Sequence, residues 1–245
     1  MATVSAPARP KPRKPGKPRR NRGLPWRIAS WIVKGVLIFI AFTLLQVCIY
    51  RIVPVPFTLT MLFDPNGMTK DWTPLSRIDP DMPRAVIAGE DAKFCVHSGF
   101  DMDAIEKAYK RNAKGGRIRG GSTISQQTAK NVFLWQGGGY VRKGLEAWYT
   151  VLIETIWGKY RIMEVYLNVA ETGIGTYGVE AGAQRYFKHG AGKLSRTEAA
   201  RLAAALPSPK KREVVAPGGF TRRHGNAIAR NANAVKAQGL DDCLS

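Results

Sequence analysis

Two adjacent carboxylates, Glu90 and Asp91, close a short apolar run, Ala85-Val-Ile-Ala-Gly89. A carboxyl group at the edge of an apolar pocket is desolvated, its pKa rises, and it becomes suited to general-base work. The same pair also fits an exposed helix end. Further along, Gly120-Gly121-Ser122-Thr123 opens a run that continues through Ser125, Gln126, Gln127 and Lys130. Glycines and hydroxyls at a helix N-terminus turn backbone N–H groups toward an anion. The P-loop order GxxxxGK(S/T) is missing. Thr123-x-x-Gln126 is a capping-box pattern, so the run also reads as a plain, well-capped amphipathic helix. Lys130 shares a helix face with Gln126, four residues earlier. Arg142-Lys143-x-x-Glu146 sets Arg142 and Glu146 at i,i+4, either toward a ligand or as a surface ion pair worth under about 1 kcal/mol. A carboxylate base beside an anion cradle points to chemistry on a phosphate-bearing substrate.

The chain that must hold these residues is lopsided in charge. Its formal net charge is +20, from 38 Lys and Arg against 18 Asp and Glu. Residues 1–51 hold 11 of the basic residues and no acid, which leaves 27 against 18, about +9, for residues 52–245. Even the main domain therefore favours an anionic partner. Three cysteines, Cys48, Cys95 and Cys243, are too few and too scattered to predict a disulfide framework or a zinc site. The three histidines show no ligand spacing, and His97 is expected to bond backbone or Asp101.

Residues 1–25, rich in Pro, Lys and Arg, predict a disordered basic tail. Residues 28–50 contain one charge, Lys34, and as a helix would rise about 34 Å, enough to cross a hydrocarbon core of about 30 Å. With Trp26 and Tyr50 at its ends, a transmembrane helix over 26–50 is expected. The alternative, a cleaved signal peptide, lacks a small-x-small site near Cys48. Nine basic residues before Ile28 place the N-terminus in the cytoplasm. Residues 51–82, with five prolines, predict an extended connector. From 83 to 240 helical periodicity dominates. Helices are expected over 84–91, from Asp101 or Asp103 to the Gly115-Gly116 stop, and from Thr123 to about 135. Others are expected over 141–157, 160–168, 176–187, 199–206 after a Ser195-x-x-Glu198 capping box, and 221–237. Strand signals are scarce. The fold class is mainly α.

Taken together the motifs resemble those of the peptidoglycan glycosyltransferases, glycosyltransferase family 51. Glu90-Asp91-x-x-Phe94-x-x-His97-x-Gly99-Phe100-Asp101 resembles the family's first signature, and Gly120 to Gln127 the second. Arg142-Lys143-x-x-Glu146 resembles the third, and Lys159-x-Arg161-Ile162-x-Glu164-x-Tyr166-Leu167-Asn168 the fourth. Ala199-Ala200-x-Leu202-Ala203-x-x-x-Pro207-x-Pro209 resembles the fifth, all in order between about Trp72 and Pro217. No transpeptidase segment follows, as in the family's monofunctional members. The resemblance implies a lysozyme-like helical domain that polymerises lipid II into β-1,4 glycan strands with inversion and release of undecaprenyl diphosphate, at the cell inner membrane with the domain outside the cytoplasm.

By that resemblance Glu90 is the base that deprotonates the acceptor 4-hydroxyl. Glu146 is the second catalytic acid, assisting at the donor diphosphate directly or through a divalent cation, Mg2+ or Mn2+. Lys130 neutralises the diphosphate, and Asp91, Ser122, Thr123, Gln126, Gln127, Arg142 and Lys143 surround the substrate. No organic cofactor and no nucleic acid is expected; the implied partners are lipid II, the lipid-linked nascent glycan, and a transpeptidase or divisome protein. In one place the chain departs from the pattern. The loop Gln136-Gly-Gly-Gly139-Tyr140 lacks the Arg that members often carry, leaving Arg117, Arg119 or Arg142 as substitutes. The glycines flanking the site, Gly120-Gly121 and 137–139, would suit the hinges of a flap. Two readings compete: a lysozyme-like hydrolase using Glu90 as an acid, and a basic membrane-tethered adaptor.

Overall fold

The computed structural model describes residues 23–113 and 121–245. Contacts divide the chain into two units, Met1–Phe42 and Thr43–Ser245. Helix α1 (Leu24–Ile52) runs through both. It is longer than the expected 26–50, and among the described helices it alone is long and apolar enough to cross a membrane. In the first unit Lys34 sets its ammonium 5.1 Å from the centroid of the Trp31 ring, one turn earlier on the same face.

In the second unit residues 43–52 are part of the fold. Val47 is fully buried. The indole N–H of Trp157 donates to its carbonyl (2.7 Å), that of Trp148 to Thr43 Oγ1 (3.2 Å), and Tyr149 O–H to Gln46 Oε1 (2.8 Å). Arg161 donates to the carbonyls of Tyr50 (2.9 Å) and Val53 (2.7 Å), where α1 ends and its last carbonyls lack helical partners.

The following stretch, expected as a connector, is tied down at several points. Helix α2 (Leu59–Leu62) is capped by Thr58 and buries Met61. Strand β1 (Thr69–Lys70) pairs in parallel with β3 (Thr176–Tyr177), which also pairs antiparallel with β2 (Glu171–Gly173). Thr73 N–H donates to Asn168 Oδ1 (2.8 Å) and Leu75 N–H to Glu164 Oε2 (3.0 Å). The prolines here prevent long elements, and side chains of the fourth run satisfy the loose backbone donors instead.

Among the described residues eight helices follow, in the order α3 (Asp81–Glu90), α4 (Met102–Ala113), α5 (Ile124–Phe133), α6 (Tyr140–Ile156), α7 (Gly158–Val169), α8 (Val179–Phe187), α9 (Arg196–Ala205) and α10 (Gly219–Ala237). Helix α3 packs against α9 and α10, while α5 packs against α6 and α7. The first group is cemented by Val86, Ile87, Leu202 and Ile228, the second by Ile124, Ile153, Ile162 and Met163, all buried. Both capping boxes form, Thr123 with Gln126 and Ser195 with Glu198, and Asp101 Oδ1 accepts the Ala104 N–H (3.0 Å) to start α4.

One expectation is corrected. The helix expected over 176–187 begins only at Val179. Gly175 and Gly178 sit at φ 61° and 84°, and a β-branched and aromatic pair between two such breaks takes the extended form. The cysteine count spoke against a disulfide framework and left the pairing of Cys95 with Cys243 open; the two are joined with a Cα–Cα separation of 5.5 Å across 148 residues. A single bridge needs only two cysteines brought together by tertiary packing, which spacing does not reveal. The Gly115-Gly116 stop, Gly120, Arg117 and Arg119 lie outside the described residues.

Candidate active site

Helix α3 delivers Glu90 at its last position. Its apolar face, Met82, Ala85, Val86 and Ile87, is wholly buried and fixes its rotation. A Cβ at Gly89 would lie 2.9 Å from Ile228 Cδ1, so a larger residue there needs that side chain to shift. The helix stops at Asp91, whose φ of −159° leaves helical geometry.

The Asp91 carboxylate, expected near the substrate, is engaged by the fold. It is buried, accepts the Ile124 N–H at the start of α5 (3.0 Å), and bonds His97 Nε2 (2.9 and 3.0 Å). The Gly99 N–H donates to His97 Nδ1 (3.1 Å). Nδ1 is therefore the bare nitrogen and Nε2 carries the hydrogen given to Asp91. Of the partners expected for His97, backbone or Asp101, the backbone one forms at Gly99, and the carboxylate it bonds is Asp91 rather than Asp101. A carboxylate near the N-terminus of α5 also complements the helix dipole. Thr123 and Gln126 likewise serve the fold. The Thr123 hydroxyl donates to Gly99 O (2.7 Å), and Gln126 Oε1 accepts the Thr123 N–H (3.1 Å). These three residues lock the first and second runs together.

What that lock positions is Gln127. Its amide Nε2 donates to Glu90 Oε2 (2.9 Å), and its Oε1 accepts from the Tyr166 hydroxyl at 3.4 Å. Burial pushes the Glu90 carboxyl pKa up, with neighbouring Asp91 adding to the rise, while the Gln127 hydrogen bond and the charge of Arg212 oppose it. Glu90 is thus a desolvated carboxylate with one oxygen held and the other free of hydrogen bonds among the described residues.

One turn beyond Gln127 on α5 stands Lys130. Both line a cavity of about 350 Å3 together with Asn131, Tyr166, Glu171 and Lys210. Burial pulls the Lys130 ammonium pKa down, and the nearby charges of Arg142 and Lys143 pull the same way, against the carboxylate of Glu146. Glu146, on α6, is buried and engaged at both oxygens: Arg142 Nη1 donates to Oε2 (2.7 Å) and Lys143 Nζ to Oε1. Lys143 also reaches Ser122 Oγ at 3.5 Å. Three cations around one carboxylate leave an excess of two positive charges. Such a cluster is relieved by an anionic ligand. Arg142 Nε is buried and takes no hydrogen bond among the described residues.

The donor set around Glu146 does not suit a protein-held divalent cation. Such ions take several oxygen ligands. Here one carboxylate already faces two cations, and no group of three His, Cys, Asp or Glu able to hold a metal occurs among the described residues.

Sequence reading missed several contributors. Arg212, two residues beyond the fifth run's neighbourhood at Lys210, biases Glu90 toward ionisation. Glu154 joins Ser125 and Lys159, whose ammonium also bonds His97 O (2.6 Å). Lys159 opens the fourth run, which was the available signal.

Residues 59–234 match the family model described as Transglycosylase. The biosynthetic peptidoglycan transglycosylase of Caulobacter vibrioides is 53% identical over 212 residues, covering 85% of this chain and 93% of that protein. One from Xanthomonas axonopodis pv. citri is 48% identical over 228 residues, 89% of this chain and 91% of the relative. One from Bdellovibrio bacteriovorus is 50% identical over 215 residues, 82% and 86%. With matches of that length over a lysozyme-like helical domain, the chain belongs to the transglycosylase family and is a peptidoglycan glycosyltransferase.

Proposed function

We propose that the chain polymerises lipid II into β-1,4 glycan, inverting the anomeric centre and releasing undecaprenyl diphosphate. The observation that carries this is the link between base and cations: Glu90, desolvated, is hydrogen-bonded to Gln127, and one turn on the same helix brings Lys130 to the cavity beside the Arg142–Glu146–Lys143 cluster. A sugar hydroxyl is a weak acid and needs a base; the free oxygen of Glu90 takes its proton as the hydroxyl oxygen attacks the anomeric carbon. A diphosphate leaves as a weakly basic anion and needs positive charge rather than a general acid. Lys130, Arg142 and Lys143 supply it. Glu146 holds the last two in place and keeps them from repelling one another apart.

The glycan is lipid-linked at both substrates, so tethering suits the reaction. Residues 24–42 form the anchor in the inner membrane, with the basic N-terminus in the cytoplasm. The Cys95–Cys243 bridge supports an oxidising compartment for the domain, because disulfides persist outside the cytosol. A transpeptidase or divisome protein that receives the strand is a further partner on this reading.

The test is incubation of the purified chain with labelled lipid II and gel analysis of the product. The parent yields a ladder of glycan strands and Glu90→Gln yields none. Polymer from a folded Glu90→Gln protein would overturn the assignment of the base.

A further inference from the structure

The cavity lined by Gln127 and Lys130 also carries a polar group that the mechanism above does not use. Asp64, just after α2, is buried at its side chain, which is 1% exposed. Its Oδ2 accepts from the Tyr177 hydroxyl (2.7 Å) and from Lys210 Nζ (3.1 Å), and its Oδ1 from the Asn66 backbone and side-chain amides (2.9 and 2.8 Å). Those bonds, the tyrosine's first, hold the Asp64 carboxyl well below the usual range, so it is ionised. Lys210 then spans to Glu171 on β2, its Nζ lying 3.4 Å from Oε1. That Oε1 is buried and takes no hydrogen bond among the described residues. Glu171, Lys210 and Tyr177 line the same cavity as Gln127 and Lys130.

The charges here differ from those around Glu146. One ammonium, Lys210, faces two carboxylates, Asp64 and Glu171, which leaves an excess of one negative charge. An anionic group gains nothing here, whereas a neutral group rich in hydrogen-bond donors supplies what Glu171 lacks. A buried carboxylate oxygen without a donor is costly, and structures retain such groups where a ligand completes them. Thr58, Thr60 and Asn131 also line the cavity and add hydroxyl and amide groups. A hydroxyl-bearing ring next to a diphosphate is the chemistry that matches a cavity holding the cation of Lys130 together with the acceptor of Glu171.

We infer that Glu171 is a specificity-determining residue whose carboxylate accepts hydrogen bonds from hydroxyl or amide N–H groups of the sugar bound in this cavity. The inference rests on the lipid II reading above. Burial raises the Glu171 carboxyl pKa, against the charge of Lys210. Asp64, Tyr177 and Lys210 act beside it as positioning residues.

The experiment uses the full chain and lipid II, with KM and kcat measured separately and a thermal melt recorded for each variant. Parent and Glu90→Gln are run alongside; a ladder from the first and none from the second shows that the lipid II reading holds independently of Glu171. Glu171→Ala is expected to raise KM about tenfold or more, with kcat changed by less than about threefold. Glu171→Gln keeps the volume and one carbonyl oxygen, and its KM is expected between the two. Parental KM in a Glu171→Ala or Glu171→Gln protein that melts with the parent overturns the inference. Loss of a cooperative melt in both variants makes Glu171 a structural residue and overturns it equally.

Discussion

Glu90 carries two opposed demands. As a base it must be ionised, and as a desolvated carboxylate it resists ionisation. Its folded pKa is raised above the ordinary value, so the folded state binds a proton more tightly than the unfolded one. By linkage, stability falls as pH rises from the unfolded pKa through the folded one, and the penalty is fully present above the folded pKa. Glu90→Gln removes that penalty while keeping the shape. It is expected to abolish polymerisation and to melt at the parental temperature or above at pH 7; a clear drop in melting temperature would show that the charge supports the fold. The Gln127 bond has the opposite sign, since an amide donor favours the ionised carboxylate. Gln127→Met should therefore raise the Glu90 pKa further and move the acidic limb of the kcat/KM profile to higher pH. Rate below that limb falls about tenfold per pH unit. An unmoved limb would mean that Glu90 is not the group titrating. Arg212→Met should move it the same way through lost charge rather than a lost hydrogen bond.

Among the elements, the loop after α3 does more than join two helices. Asp91, His97 and Gly99 tie it to the start of α5, and the Cys95–Cys243 bridge ties it to the segment after α10. Beside that bridge Arg84 Nε donates to Asp241 Oδ2 (2.7 Å), a second clasp between α3 and the same segment. Closing so long a loop removes unfolded-state entropy, worth about 2–4 kcal/mol in typical cases. For a domain of this size that is roughly 5–15 °C in melting temperature. Cys243→Ser, or reduction of the parent, is expected to produce a drop of that order in a thermal melt; no drop would show the bridge to be dispensable. The helices α5, α9 and α10 were legible in the sequence because their caps and apolar spacing are local signals. The bridge was not, because it depends on where α10 returns. The strands were not, since two or three residues carry no periodicity and β1 borrows its partner from a segment more than a hundred residues away. The site was legible in types but not in duties. Sequence pattern grouped Asp91, Thr123 and Gln126 with Gln127 and Lys130, and only the backbone donors around them show that the first three brace the fold while the last two reach the cavity.

At the scale of the whole molecule, hydropathy treats residues 28–50 as one apolar stretch, but α1 has two kinds of residue along it. Residues 24–42 rise about 28 Å as helix, close to the hydrocarbon thickness of about 30 Å. Residues 43–52 belong to the domain's own packing, with Val47 fully buried and Trp157, Trp148, Tyr149 and Arg161 all bonded to that segment. Removing them would bare the indole N–H of Trp157, strip Arg161 of the Tyr50 carbonyl and uncover the apolar surface that Val47 covers. Burial of one such side chain is worth about 1.5–3 kcal/mol, and each lost hydrogen bond about 1 kcal/mol more. A chain beginning at residue 43 is therefore expected to fold and to polymerise lipid II presented in detergent. A chain beginning at residue 53 should melt at least about 5 °C lower or aggregate, with lower activity. Both are read by thermal melt and by glycan ladder. Equal stability of the two truncations would show that residues 43–52 serve the anchor alone, and that the hydrogen bonds to them hold nothing in the catalytic domain together.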